Sequence, residues 1–342
     1  MGVGAKEIAL AGAVTAGSDD IHSAYWNPAG LAEMETSEAS LSGQPTGKLL
    51  PINFIGIGTT VDWLGFAGLK TGIAFSWIPR LYVKASGAFT SNEFESIFLR
   101  FALPDLPGNF DGTISSKTKD FRISWAIMPE NDPGWSFGMS VTRIDCGTQF
   151  CGVRATNPGQ YIIESTKATA YGVNIGGKLF INKDFTLGFN LKDIDTKLDI
   201  GIHTTYPNGT TTYSVYRVAY PRDLTFGAHW RYSSHLNLMA DFQSLFGKFG
   251  SYKMNFRILR TGAEYLAGAL RYRAGLLIPL KISADKVGDL GKKLPAPFLP
   301  TLGMGVTQPA FDFDLALYPQ PVMSAQRKRL YPALDATLTG RF

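Results

Sequence analysis

The chain ends in the stretch LDATLTGRF, residues 334–342, and this stretch carries the pattern that decides the fold. Apolar or small residues occupy every second position from Leu334 to Gly340, polar residues lie between them, and the stretch ends on the aromatic Phe342. Such an alternation predicts a β-strand with one apolar and one polar face. Strands of this kind occur in soluble sheets and in membrane barrels, so the rest of the chain has to show which of the two is present.

The same alternation recurs from residue 36 onward. In each stretch, bulky apolar side chains share one face, whereas Gly, Ser, Thr and Asn dominate the other, and a phase slip near Ile258 predicts a β-bulge. Residues 91–103 are assigned to a loop, with a further strand as the alternative. The pattern predicts about fourteen strands, at residues 36–44, 55–63, 69–77, 121–127, 135–141, 171–175, 185–191, 224–230, 236–242, 259–265, 270–278, 302–306, 311–317 and 334–342.

The second face of the strands distinguishes a soluble sandwich from a membrane barrel. A sandwich exposes charged residues on that face, whereas small polar residues suit the crowded, wet lumen of a barrel. Hydrophobic residues make up 45% of the chain, yet no run approaches the roughly 18 apolar residues of a membrane-spanning helix. We therefore predict an all-β protein, a transmembrane antiparallel β-barrel of about fourteen strands with its bulky face toward lipid.

The connections between the predicted strands alternate in length. Short joins such as 129–133 and 182–183 follow one strand, and longer ones such as 281–298 and 319–332 follow the next. Outer-membrane barrels have short periplasmic turns and long outer loops, so we expect a Gram-negative-type outer membrane as the location, with its lipid around the barrel. Residues 1–9 lack the cationic and apolar regions of a signal peptide, so the expected form is the mature one.

The first 34 residues do not alternate. An Ala-rich stretch at residues 5–14 predicts a short helix, and Asn27 before Pro28, with Gly30 after them, predicts a turn. A segment that precedes a barrel without forming a strand has to lie under it or inside it. We therefore divide the chain into an N-terminal plug or hatch, residues 1–34, and a barrel, residues 35–342.

The stretch from Gly12 to Ala32 resembles the N-terminal signature of FadL-type outer-membrane transporters and their PorV-type relatives. Its centre is a gate motif, formed by Tyr25, Trp26, Asn27, Pro28, Ala29 and Gly30. The resemblance implies a fourteen-stranded barrel, an N-terminal hatch, and passage of hydrophobic molecules that leave sideways through a gap in the wall. For the PorV-type relatives it implies instead a partner in protein secretion.

The alternation of odd and even positions in the predicted strands places a set of charged residues on the face toward the lumen. Arg271 and Arg273 point inward two positions apart, and Arg260 is expected on a neighbouring strand, with Arg231 and His229 on a further inward face. A cluster of this kind can hold a carboxylate ligand or contact the plug. The alternative is that these residues and the inward carboxylates neutralise one another.

Residues 79–115 form the longest predicted loop, and it is rich in apolar side chains. Phe89, Phe94, Phe98 and Phe101 are among them. Exposing such side chains to water is unfavourable, so we expect them to form a capture loop for a hydrophobic substrate. The alternative, with the same weight, is that they pack against one another in a small core inside the loop.

Cys146 and Cys151 lie five positions apart, and they are the two cysteines of the chain. In an oxidising compartment we expect a small loop disulfide, with a pair of free thiols as the alternative. The four histidines have no metal-ligand spacing, so neither a metal site nor a cofactor is expected. The net charge of +5 comes without a long basic run, which argues against nucleic-acid binding.

We therefore expect a passive outer-membrane channel for hydrophobic small molecules, fatty acids or hydrocarbons, with an N-terminal hatch and lateral release. The alternative is a plugged barrel that acts as a partner or scaffold in a secretion or envelope assembly, binding another envelope protein. A general diffusion porin is a third reading, and the plug-like segment argues against it. An enzyme is not expected, because the one nucleophile-elbow pattern, at Ser136, lies in a predicted strand rather than a strand–turn–helix.

Overall fold

The structure is a computed structural model. It describes residues 2–45, 52–61, 68–89, 110–157, 161–165, 168–249, 252–284, 288–289, 294–321, 324 and 328–342. The N-terminal segment, residues 2–34, contains two short α-helices, α1 (Ala5–Ala9) and α2 (Ser23–Trp26), and a 3-10 helix (Pro28–Glu33). Within the described ranges, no helix is long and apolar enough to cross a membrane.

Strands dominate the rest of the described chain. Their bounds are β1 Glu38–Gly43, β2 Phe54–Val61, β3 Leu69–Phe89, β4 Phe110–Pro129, β5 Trp135–Asn157, β6 Tyr161–Ser165, β7 Ala168–Asn182, β8 Phe185–Ile194, β9 Lys197–Thr205, β10 Thr211–Ala219, β11 Arg222–Ser233, β12 Leu236–Phe249, β13 Tyr252–Ala267, β14 Leu270–Ala284, β15 Gly288–Asp289, β16 Leu299–Thr307, β17 Phe311–Pro319 and β18 Pro332–Arg341.

Fourteen of these strands form a closed antiparallel ring, in the order β1, β2, β3, β4, β5, β7, β8, β11, β12, β13, β14, β16, β17, β18. The seam of the ring is the pairing of β1 with β18, which runs from Glu38 opposite Arg341 to Gly43 opposite Ala336. A closed ring leaves no strand edge unpaired, as a lipid environment requires. The predicted all-β barrel and its fourteen strands are confirmed.

Four strands of the described chain lie outside the ring, and one of them, β15, is a two-residue strand that pairs with the end of β14. β9 and β10 form a hairpin that pairs with β6, at the end where β5 leaves the ring. The sequence interpretation assigned these residues to connections. The reason is that β6, β9 and β10 pair mainly with one another, so they do not share the two-sided environment that gives the ring strands their regular pattern.

The two faces of the ring differ as predicted. Ile123 is 58% exposed and Leu338 52% exposed on the outer face, whereas their neighbours Ser124 and Thr337 are buried on the inner face. Most of the large exposed apolar side chains belong to ring strands, and together they form an apolar belt around the barrel. A belt of this kind fits the hydrocarbon layer of a membrane.

Two strands are longer than predicted, which corrects the assignment of residues 79–115 to a loop. β3 continues to Phe89 and β4 begins at Phe110, so Phe89 is the last residue of a strand. The register shifts between Pro79 and Leu81, because a bulge at this proline interrupts the alternation. Residues 90–109, including the alternative strand at 91–103, lie outside the described residues. The predicted bulge near Ile258 is present, between Arg257 and Ile258.

The cysteines lie in a strand and not in a loop. Cys146 and Cys151 both belong to β5, at a point where the register with β4 shifts between Ser116 and Thr118. Cys146 is buried and disulfide-bonded, and Cys151 is the other cysteine of the sequence. The side chain of Cys151 lies outside the described part of the chain, so the pairing stays a prediction.

A pair of substitutions with equal exposure tests the membrane-facing belt. Ile123 in β4 is 58% exposed, and Tyr213 in the β9–β10 hairpin is 60% exposed. We expect Ile123→Arg to lower the free energy of unfolding by ~2–4 kcal/mol, because an arginine would enter hydrocarbon. Tyr213→Arg should change it by less than ~0.5 kcal/mol, as for an ordinary surface site.

The measurement is urea unfolding of the protein folded into lipid vesicles, followed by tryptophan fluorescence. Equal, small effects of the two substitutions would mean that the belt faces water, and the membrane assignment would then be wrong.

Candidate functional site in the barrel interior

The N-terminal segment lies inside the ring. Helix α1 packs against β14, β16, β17 and β18, whereas the 3-10 helix packs against β2, β3, β4, β5 and β7 on the other side. Val3, Leu10, Ile21 and Leu31 of the segment are almost completely buried. The interior at this level is therefore filled by protein, which corrects the expectation of a wet lumen.

A belt of inward glycines makes room for the segment. A Cβ at Gly72 would lie 2.2 Å from the carbonyl oxygen of Leu31, and one at Gly138 would lie 2.4 Å from the nitrogen of Ala29. Distances this short do not occur between real Cβ atoms and backbone. We call these nine residues, all of which face the segment, the glycine girdle: Gly58, Gly72, Gly138, Gly176, Gly188, Gly227, Gly262, Gly275 and Gly303.

Asn27 fixes the gate motif to the wall. Its amide Nδ2 donates to the carbonyl oxygen of Thr15 (2.7 Å) and to that of Gly177 in β7 (3.2 Å). Its Oδ1 accepts from the nitrogen of Ala29 (3.2 Å), which starts the 3-10 helix. One buried side chain thus joins two parts of the segment to a strand of the ring.

Pro28 and Gly30 determine how closely the 3-10 helix packs. Pro28 occupies the first helical position, where its missing N–H costs no hydrogen bond. A Cβ at Gly30 would lie 2.1 Å from the carbonyl oxygen of Ser18 and 2.5 Å from Oγ of Ser23. Any larger residue at position 30 would therefore separate the helix from the rest of the segment.

Tyr25 and Trp26 are surrounded by cations from the wall. The two rings meet edge to face at 5.0 Å. Lys192 Nζ lies 4.2 Å and the Arg122 guanidinium 5.1 Å from the centre of the Tyr25 ring, and the Arg260 guanidinium lies 5.7 Å from that of Trp26. Desolvated contacts of this kind are worth up to ~2 kcal/mol each, so the aromatic pair is a main attachment of the segment.

Polar side chains of the wall satisfy the backbone of the segment. Asp241 Oδ2 accepts from the nitrogen (3.0 Å) and Oγ1 (2.6 Å) of Thr15, and Lys178 donates to the Ser18 oxygen and to Glu33 (2.5 Å). Burial raises the pKa of Glu33, and Lys178 opposes that effect. Further bonds of this kind join Ala5 to Thr337, Ile21 to Glu38, Met34 to Lys70, Trp26 to Asn190 and Ala9 to Thr301.

The arginines singled out from the sequence do not form one cluster. Arg273 forms ion pairs with Glu264 (2.7 Å) and Asp314 (2.5 Å) of the wall. For this residue, the structure agrees with the alternative that inward charges neutralise one another. Arg260 instead faces the segment, and its Nη1 donates to the carbonyl oxygen of Gly12 at 3.5 Å. The two side chains therefore have different partners.

The remaining members of that set lie apart. Arg271 donates to the carbonyl oxygens of Gly268 and Leu270, so it caps the β13–β14 turn. Arg231 is exposed near the β11–β12 turn. His229 is half-buried near Gly17 of the segment, since a Cβ at Gly17 would lie 3.5 Å from Cγ of His229.

Lys178, Asn190 and Lys192 are contact residues that the sequence interpretation did not select. Their parity within β7 and β8 places them on the inner face. The alternation identifies which residues face inward, but it does not show which of them contact the segment. The segment itself has no repeating pattern from which its position relative to the strands could be predicted.

A cavity of about 390 Å³ lies between the segment and the end of the barrel that carries the long connections. The segment contributes Gly2, Val3 and Tyr25 to its lining. The wall and connections provide the rest: Gln44, Asn53, Ile78, Pro79, Thr118, Arg122, Lys192, Asp193, Tyr220, Asp223, Tyr318, Gln320 and Pro321. The lining therefore combines apolar and aromatic surface with polar groups, and the volume is in the range of small-ligand sites.

An apolar groove runs along the outside of the wall, with a volume of about 1240 Å³. It crosses β1 to β5 and is bordered by β17 and β18. Gly56 of β2 lies in its floor, and on the inner side the ring of Phe54 and the side chain of Ile21 fill the space that a residue at 56 would occupy. The wall is therefore thin between the groove and the segment.

Of the predicted capture loop, Phe94, Phe98 and Phe101 lie outside the described residues. The backbone of Phe89 pairs with Phe110 at the end of β3, and its side chain is not described.

The comparisons with known proteins give the fold. No protein-family model matches the sequence and no curated protein matches it. The structure is similar to the toluene transporter TbuX of Ralstonia pickettii (TM-score 0.62, 14% identity, covering 100% of this chain and 98% of that one). It is also similar to the P. putida toluene transporter TodX (0.60, 12%, 100% and 99%) and to a Pseudomonas aeruginosa FadL homologue (0.59, 12%, 96% and 96%). The fold is thus the FadL-type fold.

The close fit of the segment to the glycine girdle predicts a cost for one added methyl group. We expect Gly138→Ala to lower the free energy of unfolding by ~1–3 kcal/mol, because the new Cβ meets the backbone of Pro28 and Ala29. The matched control is Gly134→Ala, since a Cβ at Gly134 meets nothing within 4 Å. Urea unfolding measures the cost, and limited proteolysis reports whether the segment becomes accessible. Equal stability and protection of the two variants would contradict this packing.

Proposed function

From the FadL-type fold and the filled barrel interior, we propose that the chain is a passive channel for hydrophobic small molecules in a Gram-negative-type outer membrane. Movement is driven by the concentration gradient, and no cofactor takes part. The transporters TbuX and TodX, with the same fold, are named for toluene. That likeness supports a hydrophobic substrate class for this chain.

The observation that carries the proposal is the cavity of about 390 Å³ above the N-terminal segment. Sites for small organic molecules have volumes of roughly 300–1,000 Å³ and are largely apolar with a few polar groups. Ile78 and Val3 offer apolar surface, and Tyr318 and Tyr25 offer aromatic surface with polar ends. Charged side chains line the same cavity, among them Arg122, Lys192, Asp193 and Asp223. The volume suits a molecule of the size of a monoaromatic hydrocarbon or a short acyl chain, and the polar groups could orient it.

In this proposal the N-terminal segment acts as a hatch, with residues 1–34 as the plug and residues 35–342 as the channel wall. The predicted capture loop, with Phe94, Phe98 and Phe101, would deliver the substrate to the cavity from the outer surface. The gate motif at Tyr25 and Trp26 separates the cavity from the interior below it, so a displacement there opens the path. The cation contacts and the Asn27 hydrogen bonds limit that displacement.

Lateral release is part of the proposal, and the outer groove supports it. The first strand of the sequence is polar and follows the gate motif, which makes it the first candidate for the gap. In the closed ring, β1 and β2 are both hydrogen-bonded on each edge, so a lateral exit requires strands to separate. We propose the route at Gly56 and Gly58 of β2, where Ile21 of the segment fills the space that side chains would take. The groove gives the released molecule an apolar path into the lipid.

A second candidate is a plugged barrel that serves as a partner in a secretion or envelope assembly. The many hydrogen bonds between the segment and the wall favour it, because they have to break before the segment can move. It predicts co-purification with another envelope protein and no flux of solute. A diffusion porin would instead conduct ions, which single-channel recording detects.

Blocking the cavity tests the transport proposal. Thr118 lines the cavity and is buried, so Thr118→Trp would fill part of it. We expect uptake of a labelled monoaromatic hydrocarbon or fatty acid to fall about tenfold, the equivalent of ~1.4 kcal/mol. The assay uses cells that lack their own outer-membrane hydrophobe channel, because lipopolysaccharide keeps the background low.

The control is Thr211→Trp in the exposed β9–β10 hairpin, which should leave uptake unchanged. Both variants are checked for folding by their mobility on unheated gels. Uptake no higher than in cells without the protein would remove the transport proposal. Equal uptake by wild type and Thr118→Trp would remove the assignment of this cavity.

A further inference from the structure

Three ionisable side chains of the N-terminal segment meet inside the barrel. Glu7 comes from α1, and Asp20 and His22 come from the turn before α2. Their nearest oxygen and nitrogen atoms lie within 4.8 Å of one another. Among the residues that the structure describes, this is the one group of three potential metal ligands.

Glu7 is the feature that calls for an explanation. Its side chain has no exposure to solvent, and neither carboxylate oxygen has a hydrogen-bond partner. Gly4 closes the space beside it, since a Cβ at Gly4 would lie 1.9 Å from Oε2. A buried carboxylate without donors costs several kcal/mol unless a cation compensates its charge, so an unsatisfied group of this kind points to a ligand.

The hydroxyl groups of β1 position the ring of His22. Ser40 Oγ lies 3.1 Å and Ser42 Oγ 3.4 Å from His22 Nε2. The opposite nitrogen, Nδ1, therefore faces Glu7 and Asp20. Nδ1 has no hydrogen-bond partner among the described residues. A positive charge at this position, carried by a proton or by a metal ion, would compensate the two carboxylates that Nδ1 faces.

Two of the three separations between the ligand atoms match a shared metal ion, and the third, between Glu7 and Asp20, is within 4.8 Å. Nδ1 of His22 lies 3.6 Å from Glu7 Oε1 and 3.5 Å from Asp20 Oδ1. Two ligand atoms of one tetrahedral Zn²⁺, each ~2.0–2.2 Å from it, are ~3.3–3.6 Å apart. Lys6 pairs with Oδ2 of Asp20 at 2.9 Å, whereas Oδ1 faces the cluster and also accepts from the backbone nitrogen of His22 at 2.9 Å.

We propose that Glu7, Asp20 and His22 bind one divalent cation of the zinc class. Two carboxylates and one imidazole suit borderline ions such as Zn²⁺ better than soft or purely oxygen-seeking ones. The bound ion joins helix α1 to the turn at Asp20 and, through His22 and Ser40, to strand β1 at the seam. It is therefore a structural cross-link of the segment, and the proposal does not depend on what the barrel transports.

A proton is the competing occupant of the same position. Burial lowers the pKa of His22, but Glu7 and Asp20 outweigh it and raise that pKa to about 9, while burial raises the pKa of Glu7 to about 8. In the absence of metal, protons on His22 and Glu7 therefore reduce the uncompensated negative charge at neutral pH. A metal ion has to displace these protons, so the experiment must distinguish metal from protons.

The test uses the full-length protein in detergent, with any affinity tag removed and metal stripped by chelator. Co²⁺ is added while the visible absorption is recorded, Zn²⁺ is then added to displace it, and elemental analysis gives the stoichiometry. We expect one equivalent of Co²⁺ with a d–d spectrum and full displacement by Zn²⁺. This measurement on the wild type needs no variant to fold.

Variants then locate the site. Glu7→Gln and His22→Gln should abolish the Co²⁺ spectrum, and Ser40→Ala should weaken binding by ~10–100-fold, because it removes the partner that orients the imidazole. His235→Gln is the control, since His235 lies in the exposed β11–β12 turn and hydrogen-bonds Ser234. Binding below one equivalent in the wild type would overturn the proposal and leave a proton as the occupant. Unchanged binding in His22→Gln would overturn it by showing that the metal binds elsewhere.

Discussion

The inner face of the ring has to leave room for a backbone. Nine strands place a glycine where the N-terminal segment passes, and at several of them a single added carbon would meet main-chain atoms at less than 3 Å. Protein interiors are close-packed and cannot absorb such overlaps. The positions of the glycines in the wall therefore match the path of the segment, and each of the two explains the other.

Electrostatic satisfaction of the interior follows from that close fit. The segment is mostly irregular, so its buried N–H and C=O groups need partners outside regular helices. Asp241, Lys178 and Thr301 of the wall supply such partners to the backbone of the segment. In the opposite direction, Asn27 of the segment donates to the backbone of the wall at Gly177. Basic residues of three strands then hold the aromatic pair Tyr25 and Trp26. The interior is polar in composition and still well satisfied at these contacts.

Much of the architecture is readable from the sequence, because each ring strand has lipid on one side and protein on the other. Each of the fourteen strands therefore shows a period of two over at least part of its length. Where a bulge interrupts the period, the prediction stops too early. For that reason the part of β3 beyond Pro79 was assigned to a loop, and so were the cysteines of β5. The β9–β10 hairpin was missed because it lies outside the ring.

The candidate site was less readable for a different reason. The motif around Asn27 could be selected as a turn, and its resemblance to a known signature marked it. The contacts it makes depend on how far the segment is translated and rotated inside the ring, and no periodic pattern records that. Parity placed Arg260 and Arg273 on the same face, but their separation along the strands gave them different partners. Glu7, Asp20 and His22 meet only because the segment folds back on itself.

The seam between β1 and β18 bears on the order in which the molecule assembles. β1 follows the N-terminal segment directly, and its partner on one side comes from the opposite end of the described chain. The segment also touches β18 at Thr337 and β12 at Asp241, so its resting place does not exist until the circle of strands is complete. Contacts so distant in sequence form slowly, so we expect the segment to reach its final position only when the ring closes. Residues nearest the start of the chain are then among the last to become ordered.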